Sequence, residues 1–157
     1  MLKGHPHICL YQPEIPQNAG NIGRLAAATG SRLHFIEPFG FDTADKNLRR
    51  AGLDYWPFLD LEIHRDFNHF ASRIENFHPV FFSKKGTKSY YDIPDTANAL
   101  VFGRETSGLP DELWQTYPEH FYQIPIYHEG VRSLNLANSV SIAVYHFLYK
   151  KETSSCH

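Results

Sequence analysis

The sequence predicts one α/β domain, a mostly parallel sheet with helices covering its faces. Short apolar runs alternate along the chain with segments whose apolar residues recur at helical spacing. The length of 157 residues, with 42% hydrophobic and 20% charged residues, suits one domain with a core of its own. We expect that domain to span residues 1–151, followed by a flexible tail over residues 152–157.

His7–Tyr11 reads as a first buried strand, and Pro13 and Pro16 hold the next segment extended. From Asn18 to Thr29 the residues Ile22, Leu25, Ala26 and Thr29 mark one helical face, and Gly30 is placed to end it. Leu33–Ile36 is a second strand, closed by Pro38 and Gly40. A basic helix is expected over Thr43–Ala51, a third strand over Trp56–Ile63, and an amphipathic helix over Asp66–Asn76. Val80–Ser83 and Ala99–Gly103 are the fourth and fifth strands, the former running into the Lys-rich loop Lys84–Lys88. Pro110 opens a short helix, a position that proline tolerates well. Phe121–Ile124 is the sixth strand. Beyond Pro125 and a polar loop, Ser133-Leu134-Asn135 opens a long helix with Leu136, Val140, Val144, Phe147 and Leu148 on its buried face.

The totals exclude several classes. No apolar run approaches the roughly 20 residues of a membrane helix, and the first residues lack a signal-peptide core, so a cytoplasmic protein is expected. Cys9 and Cys156 lie too far apart in character, one in a strand and one in the tail, to suggest a disulfide framework. The net charge is -2 and the pI about 6.5, which gives no overall signature of a nucleic-acid partner. Basic residues cluster locally at Lys46, Arg49 and Arg50, at Lys84, Lys85 and Lys88, and at Lys150 and Lys151, where a solvated face is the plainer reading. The histidines show no ligand spacing: His5 and His7 are near the start, and His64 and His69 are five apart with no Cys or carboxylate cluster alongside, so no metal is assigned.

Three loops are richer in Gly, Asn, Ser and Arg than connectors require. They are Asn18-Ala-Gly20-Asn21-Ile-Gly23-Arg24, Phe102-Gly103-Arg104-Glu105-Thr106-Ser107-Gly108-Leu109-Pro110, and Ile124 to Asn138. Loops that follow parallel strands emerge at one sheet edge, so the latter two can meet there. Neither a GxGxxG fingerprint nor a P-loop is present.

In this order the three segments resemble the motifs of the SPOUT methyltransferases, N-x-G-N-x-x-R, F-G-x-E-x-x-G-L and I-P-M…S-x-N-L-x-N, over nearly the whole chain. Tyr11-Gln-Pro-Glu-Ile-Pro-Gln-Asn18 and Leu48-Arg-Arg-Ala-Gly-Leu-Asp-Tyr55 are similar to the small branch that 2′-O-methylates the wobble nucleotide, cytidine or a modified uridine, of leucine tRNAs. The resemblance implies a homodimer whose C-terminal part is threaded into a deep trefoil knot. It implies S-adenosylmethionine as cofactor, held bent in the knot by Phe82, Gly103, Ile124 and Ser133, with the first-motif Arg24 approaching the partner subunit's cofactor.

The chemistry of methyl transfer fits those residues. A sulfonium already makes its methyl a good electrophile, so the protein must mainly align it and support the ribose oxygen. Gly103 and Gly108 admit close approach of a flat adenosine, with Leu134 and Ile124 as apolar walls. Ser133 and Asn135 offer hydrogen bonds at a helix start, and Asn135 can fix the ribose. Arg24 stays protonated at any working pH, which favours clamping a phosphate and stabilising the oxyanion over abstracting a proton. Glu105 is placed to orient Arg24 or Arg104. Lys46, Arg49, Arg50 and Lys85 are the expected phosphate contacts.

Plainer readings stand beside these. Taken singly, Gly20, Gly23, Gly103 and Gly108 are turn residues, Asn18 and Ser133 are helix caps, and Glu105 pairs with Arg104 or Arg132. Trp56, Phe58, Phe81 and Phe82 are most simply core. The 126–132 loop is slightly longer than in the branch it resembles, and Arg104 stands where that branch favours proline. The rival to an enzyme is a non-catalytic RNA-binding module of the same fold. Another tRNA or ribosomal RNA position would use the same residues.

Overall fold

A computed structural model describes residues 1–42, 46–50 and 54–154, without the side chains of Asn47 and Arg49. Seven strands form one sheet in the order β3-β2-β1-β6-β4-β7-β5, and every neighbouring pair is parallel. In chain order they are β1 (His7–Tyr11), β2 (Arg32–Ile36), β3 (Leu61–His64), β4 (Pro79–Phe82), β5 (Lys88–Ser89), β6 (Ala99–Phe102) and β7 (Phe121–Gln123). The helices are α1 (Pro16–Thr29), α2 (Lys46–Arg50), α3 (Phe67–Ser72), α4 (Asp111–Thr116) and α5 (Leu136–Ser154).

The strands read as unbroken apolar runs because both sheet faces are covered. Ile8, Leu10, Val80, Phe82, Leu100 and Phe102 face a core shared with α1 and α5. The alternate residues Cys9, Phe81, Ala99, Val101 and Phe121 face a second core closed by α3 and α4. Phe82 stacks on Phe102 at 4.7 Å in the first core, and Phe81 on Phe121 at 4.9 Å in the second.

Several boundaries differ from expectation for identifiable reasons. Trp56–Phe58 is a single 3₁₀ turn with Pro57 in its first positions, and β3 starts only at Leu61. Phe58 is 76% exposed and is not core. Helix α3 covers Phe67–Ser72, capped by Asp66, whose carboxylate accepts the His69 N–H at 2.7 Å. Its expected continuation to Asn76 stops short, and Asn76 takes a positive φ of 51°. The two-residue β5 is too short to give a periodic signal. Helix α5 runs to Ser154, past the expected start of the tail. The ends of the expected Thr43–Ala51 helix, and Cys156, lie outside the described residues.

Helix α1 explains two glycines of the first motif. Gly20 and Gly23 are inside the helix, not in a turn, and both are buried. Tyr55 lies across them: its hydroxyl donates to the Gly20 carbonyl, and a Cβ on Gly23 would sit 3.1 Å from that hydroxyl. The Asp54-Tyr55 segment thereby docks on the helix that carries Arg24.

Candidate active site

The C-terminal ends of β4, β6 and β7 open into a cavity of about 630 Å³, a volume suited to a nucleoside-sized ligand. Phe82 ends β4 and Ser83, Lys84 and Lys85 follow it; Phe102 ends β6 and residues 103–109 follow it; Ile124 and Ile126 follow β7; and Ser133–Leu136 with Ser139 close the far side at the start of α5. All five expected cofactor contacts, Phe82, Gly103, Ile124, Ser133 and Leu134, therefore line one cavity. The second and third loops meet as strand polarity requires.

Gly103 is fixed by its own loop. A Cβ there would lie 2.4 Å from the carbonyl carbon of Gly108 and 2.6 Å from the Leu109 nitrogen. The loop folds back so tightly that Arg104 and Gly108 exchange backbone hydrogen bonds of 3.1 and 3.0 Å, with Gly108 at φ 70°. Gly86 plays a similar part unseen in the sequence. Its Cβ would meet the Tyr122 carbonyl carbon at 2.5 Å, so the Lys-rich loop passes directly over β7.

Glu105 does not pair with Arg24, Arg104 or Arg132. Its carboxylate accepts the backbone N–H of Glu14 at 3.0 Å and of Ile15 at 3.1 Å, capping α1 from a distant loop. The helix needs this, since Ile15 stands at the N-cap with no side-chain cap of its own. Asn18 is not the cap either. It is buried two residues into the helix, donating to Glu105 Oε1 at 3.4 Å and accepting from Asn135 Nδ2 at 3.1 Å. Asn135, rather than Ser133, caps α5, its Oδ1 accepting the Asn138 N–H at 3.3 Å. A continuous chain of hydrogen bonds thus ties the first, second and third motifs together below the cavity.

Glu14 returns the contact, accepting the Thr106 hydroxyl at 2.7 Å and the Thr106 N–H at 3.3 Å. Arg104 donates to Gln12 and, at 3.2 Å, to the Ser107 hydroxyl, with its guanidinium 5.3 Å from the Tyr11 ring centroid. The pairings of Gln12, Glu14 and Thr106 carried no local signal in the sequence, because the partners lie about ninety residues apart.

Arg24 is exposed and does not line this cavity. Lys46 and Arg50 are exposed on α2, the Arg49 side chain lies outside the described residues, and Lys85 stands with Lys84 at the cavity mouth. The sheet brings His34, Glu62 and His64 together, a proximity that sequence spacing concealed.

Residues 5–145 match the model of the SpoU rRNA Methylase family. The chain belongs to that family. A tRNA (cytidine(34)-2'-O)-methyltransferase of Escherichia coli (strain K12) is 46% identical over 142 residues, 88% of this chain and 89% of that protein. One of the same description from Methylovorus glucosotrophus is 41% identical, covering 88% and 90%. A solved structure concerned with the 2-OH methylation of C/U34 on tRNA superposes with a TM-score of 0.86 at 45% identity, over 96% of this chain and 99% of that one. The SpoU methyltransferase AviRb of Streptomyces viridochromogenes, solved with AdoMet, shares the fold at 22% identity and a TM-score of 0.82, over 98% of this chain and 63% of that one.

Proposed function

We propose that this SpoU-family protein transfers the methyl group of S-adenosylmethionine to the ribose 2′-hydroxyl of the wobble nucleotide of leucine tRNAs. The target nucleotide is cytidine or 5-carboxymethylaminomethyluridine, and the enzyme works in the cytoplasm as a homodimer. The observation that carries this reading is the cavity at the ends of β4, β6 and β7, braced by the Glu105–Asn18–Asn135 chain. The descriptions of relatives above 40% identity support the choice of nucleotide.

The residues fit the cofactor. Phe82, Ile124 and Leu134 give apolar walls for an adenine, and Ser133 and Asn135 present polar groups at the start of α5. When bound, the sulfonium supplies an activated methyl group. The protein aligns it and excludes water, work that depends on rigid walls. The family's trefoil knot belongs to this reading.

Arg24 completes the site from the partner subunit, clamping the phosphate beside the target ribose and stabilising the developing alkoxide. Its exposure outside its own subunit's cavity supports a role across the dimer. So does the apolar stripe on α5, where Ile142, Tyr145 and Tyr149 are 38%, 58% and 65% exposed. Lys46, Arg49, Arg50 and Lys85 contact tRNA phosphates.

Incubation with methyl-labelled S-adenosylmethionine and leucine tRNAs isolated from a strain lacking this protein, followed by mass-spectrometric mapping, tests the proposal. One 2′-O-methyl group at position 34 is expected. Binding of the cofactor without transfer to any tRNA overturns the enzymatic reading, and methylation at another position overturns the target.

A further inference from the structure

A row of imidazoles crosses the β3 edge of the sheet, outside the cavity. His7 Nδ1 lies 2.9 Å from His34 Nε2, His34 Nδ1 lies 2.8 Å from His64 Nε2, and His64 Nδ1 lies 3.1 Å from His69 Nδ1. His34 and His64 are 1% and 0% exposed. Packing alone does not call for them, since an apolar side chain would fill the space against Phe70 without ring nitrogens to satisfy. Glu62 is the register partner of His34, and with His64 two residues on it projects from the same face of β3. One ligand atom from each of His34, Glu62 and His64 lies within 4.8 Å of the others.

We propose that His34, Glu62 and His64 form a binding site for a divalent transition metal of the zinc class.

Two imidazoles and one carboxylate suit zinc and its neighbours; magnesium and calcium require oxygen ligands. The outer rings act as supports. With His34 Nε2–H directed at His7 and His64 Nδ1–H directed at His69, the facing nitrogens of His34 and His64 both present lone pairs. Without metal, one proton bridges that 2.8 Å gap. Metal entry asks that His64 and His69 change tautomer, so no proton has to leave. Bonds of about 2.0 Å to a tetrahedral ion set ligands about 3.3 Å apart, so the rings part by roughly 0.5 Å.

Burial keeps the rings in the neutral form that ligates: it pushes His34 down to about 2 and also lowers His64. Glu62 brings the negative charge. Arg73 Nε, 3.1 Å from one carboxylate oxygen, and Arg32 Nη1, 3.9 Å from the other, hold it in place. An ion here joins β2 to the four-residue edge strand β3.

The test uses the full-length protein, stripped of metal with a chelator and exchanged into clean buffer. One equivalent of Co²⁺ is expected to produce the visible ligand-field absorption of a four-coordinate site. Zn²⁺ is expected to abolish that band and raise the unfolding midpoint. His64→Gln and Glu62→Gln are each expected to lose the band, the latter with every imidazole still in place. Wild-type protein that shows no band with Co²⁺ and no stabilisation by Zn²⁺ overturns the site. A band of wild-type intensity in both variants overturns it as well. Neither readout depends on methyl transfer.

Discussion

The carboxylate of Glu105 caps helix α1 at Ile15, a residue 90 positions earlier in the chain, through a 3.1 Å hydrogen bond. With the parallel bond from the Glu14 N–H, the capping group for the Arg24 helix is supplied by a loop of the cavity. The position of that helix and the shape of the cavity are therefore one mechanical unit.

Glu105→Ala should reveal that unit. It removes the acceptor for two orphan N–H groups and for the Asn18 amide, a loss of about 1–2 kcal/mol in unfolding free energy. Urea denaturation should show the fall, and calorimetry should show weaker S-adenosylmethionine binding. Glu105→Gln keeps one acceptor oxygen and should fall between the variant and wild type. An alanine variant with unchanged stability would show that the cap is replaced by water.

Gly103→Ala should damage the cavity from inside. The new methyl group meets backbone on both sides of the Gly108–Leu109 peptide, so no side-chain rotation relieves it. Overpacking of this kind costs about 1–3 kcal/mol, and the loop that shifts is a cavity wall. Cofactor affinity should drop by about tenfold or more, measured by calorimetry on protein whose circular dichroism remains native.

The surface cations should behave differently. Lys46→Glu with Arg50→Glu alters exposed groups on α2, outside the cavity lining. Their loss should weaken tRNA binding and lower the slope of log affinity against log salt by about one per lost phosphate contact. Affinity for S-adenosylmethionine should be unchanged. Filter binding over a salt series checks the first expectation, and calorimetry the second.

The sequence disclosed what depends on local pattern. The parallel strands announced themselves as apolar runs because alternate residues, such as Phe81 and Phe82, feed separate cores. Gly30 ended α1 as its position implied, in the left-handed conformation. Phe82, Gly103, Ile124 and Ser133 came from the family resemblance and Leu134 from its apolar character, and they line one cavity because strand polarity sends their loops to one edge. What stayed hidden was partnership at long range. Nothing near Glu105 shows that its partners are the Glu14 and Ile15 N–H groups, and nothing near His34 reveals His64 across a strand pair. Trp56–Phe58 misled for a different reason: aromatic residues of high strand propensity surround a proline that turns them.

Arg24 offers the sharpest prediction, because its proposed role depends on a second subunit. Arg24→Ala should leave S-adenosylmethionine affinity unchanged, since the residue lies outside its own cavity. Its turnover should fall by about 10²–10³, the usual cost of losing a charge-stabilising donor. Mixing Arg24→Ala with Gly103→Ala under subunit exchange should then restore activity. In the mixed dimer, the intact cavity of the first chain receives Arg24 from the second, and the other site remains dead. At S-adenosylmethionine too dilute to fill the Gly103→Ala cavity, random pairing should return about a quarter of the wild-type rate, because half the dimers are mixed and each carries one working site. Initial-rate measurements before and after exchange decide the matter. No recovery, with mixed dimers demonstrated by native mass spectrometry, would place Arg24 in its own subunit's chemistry or outside the reaction altogether.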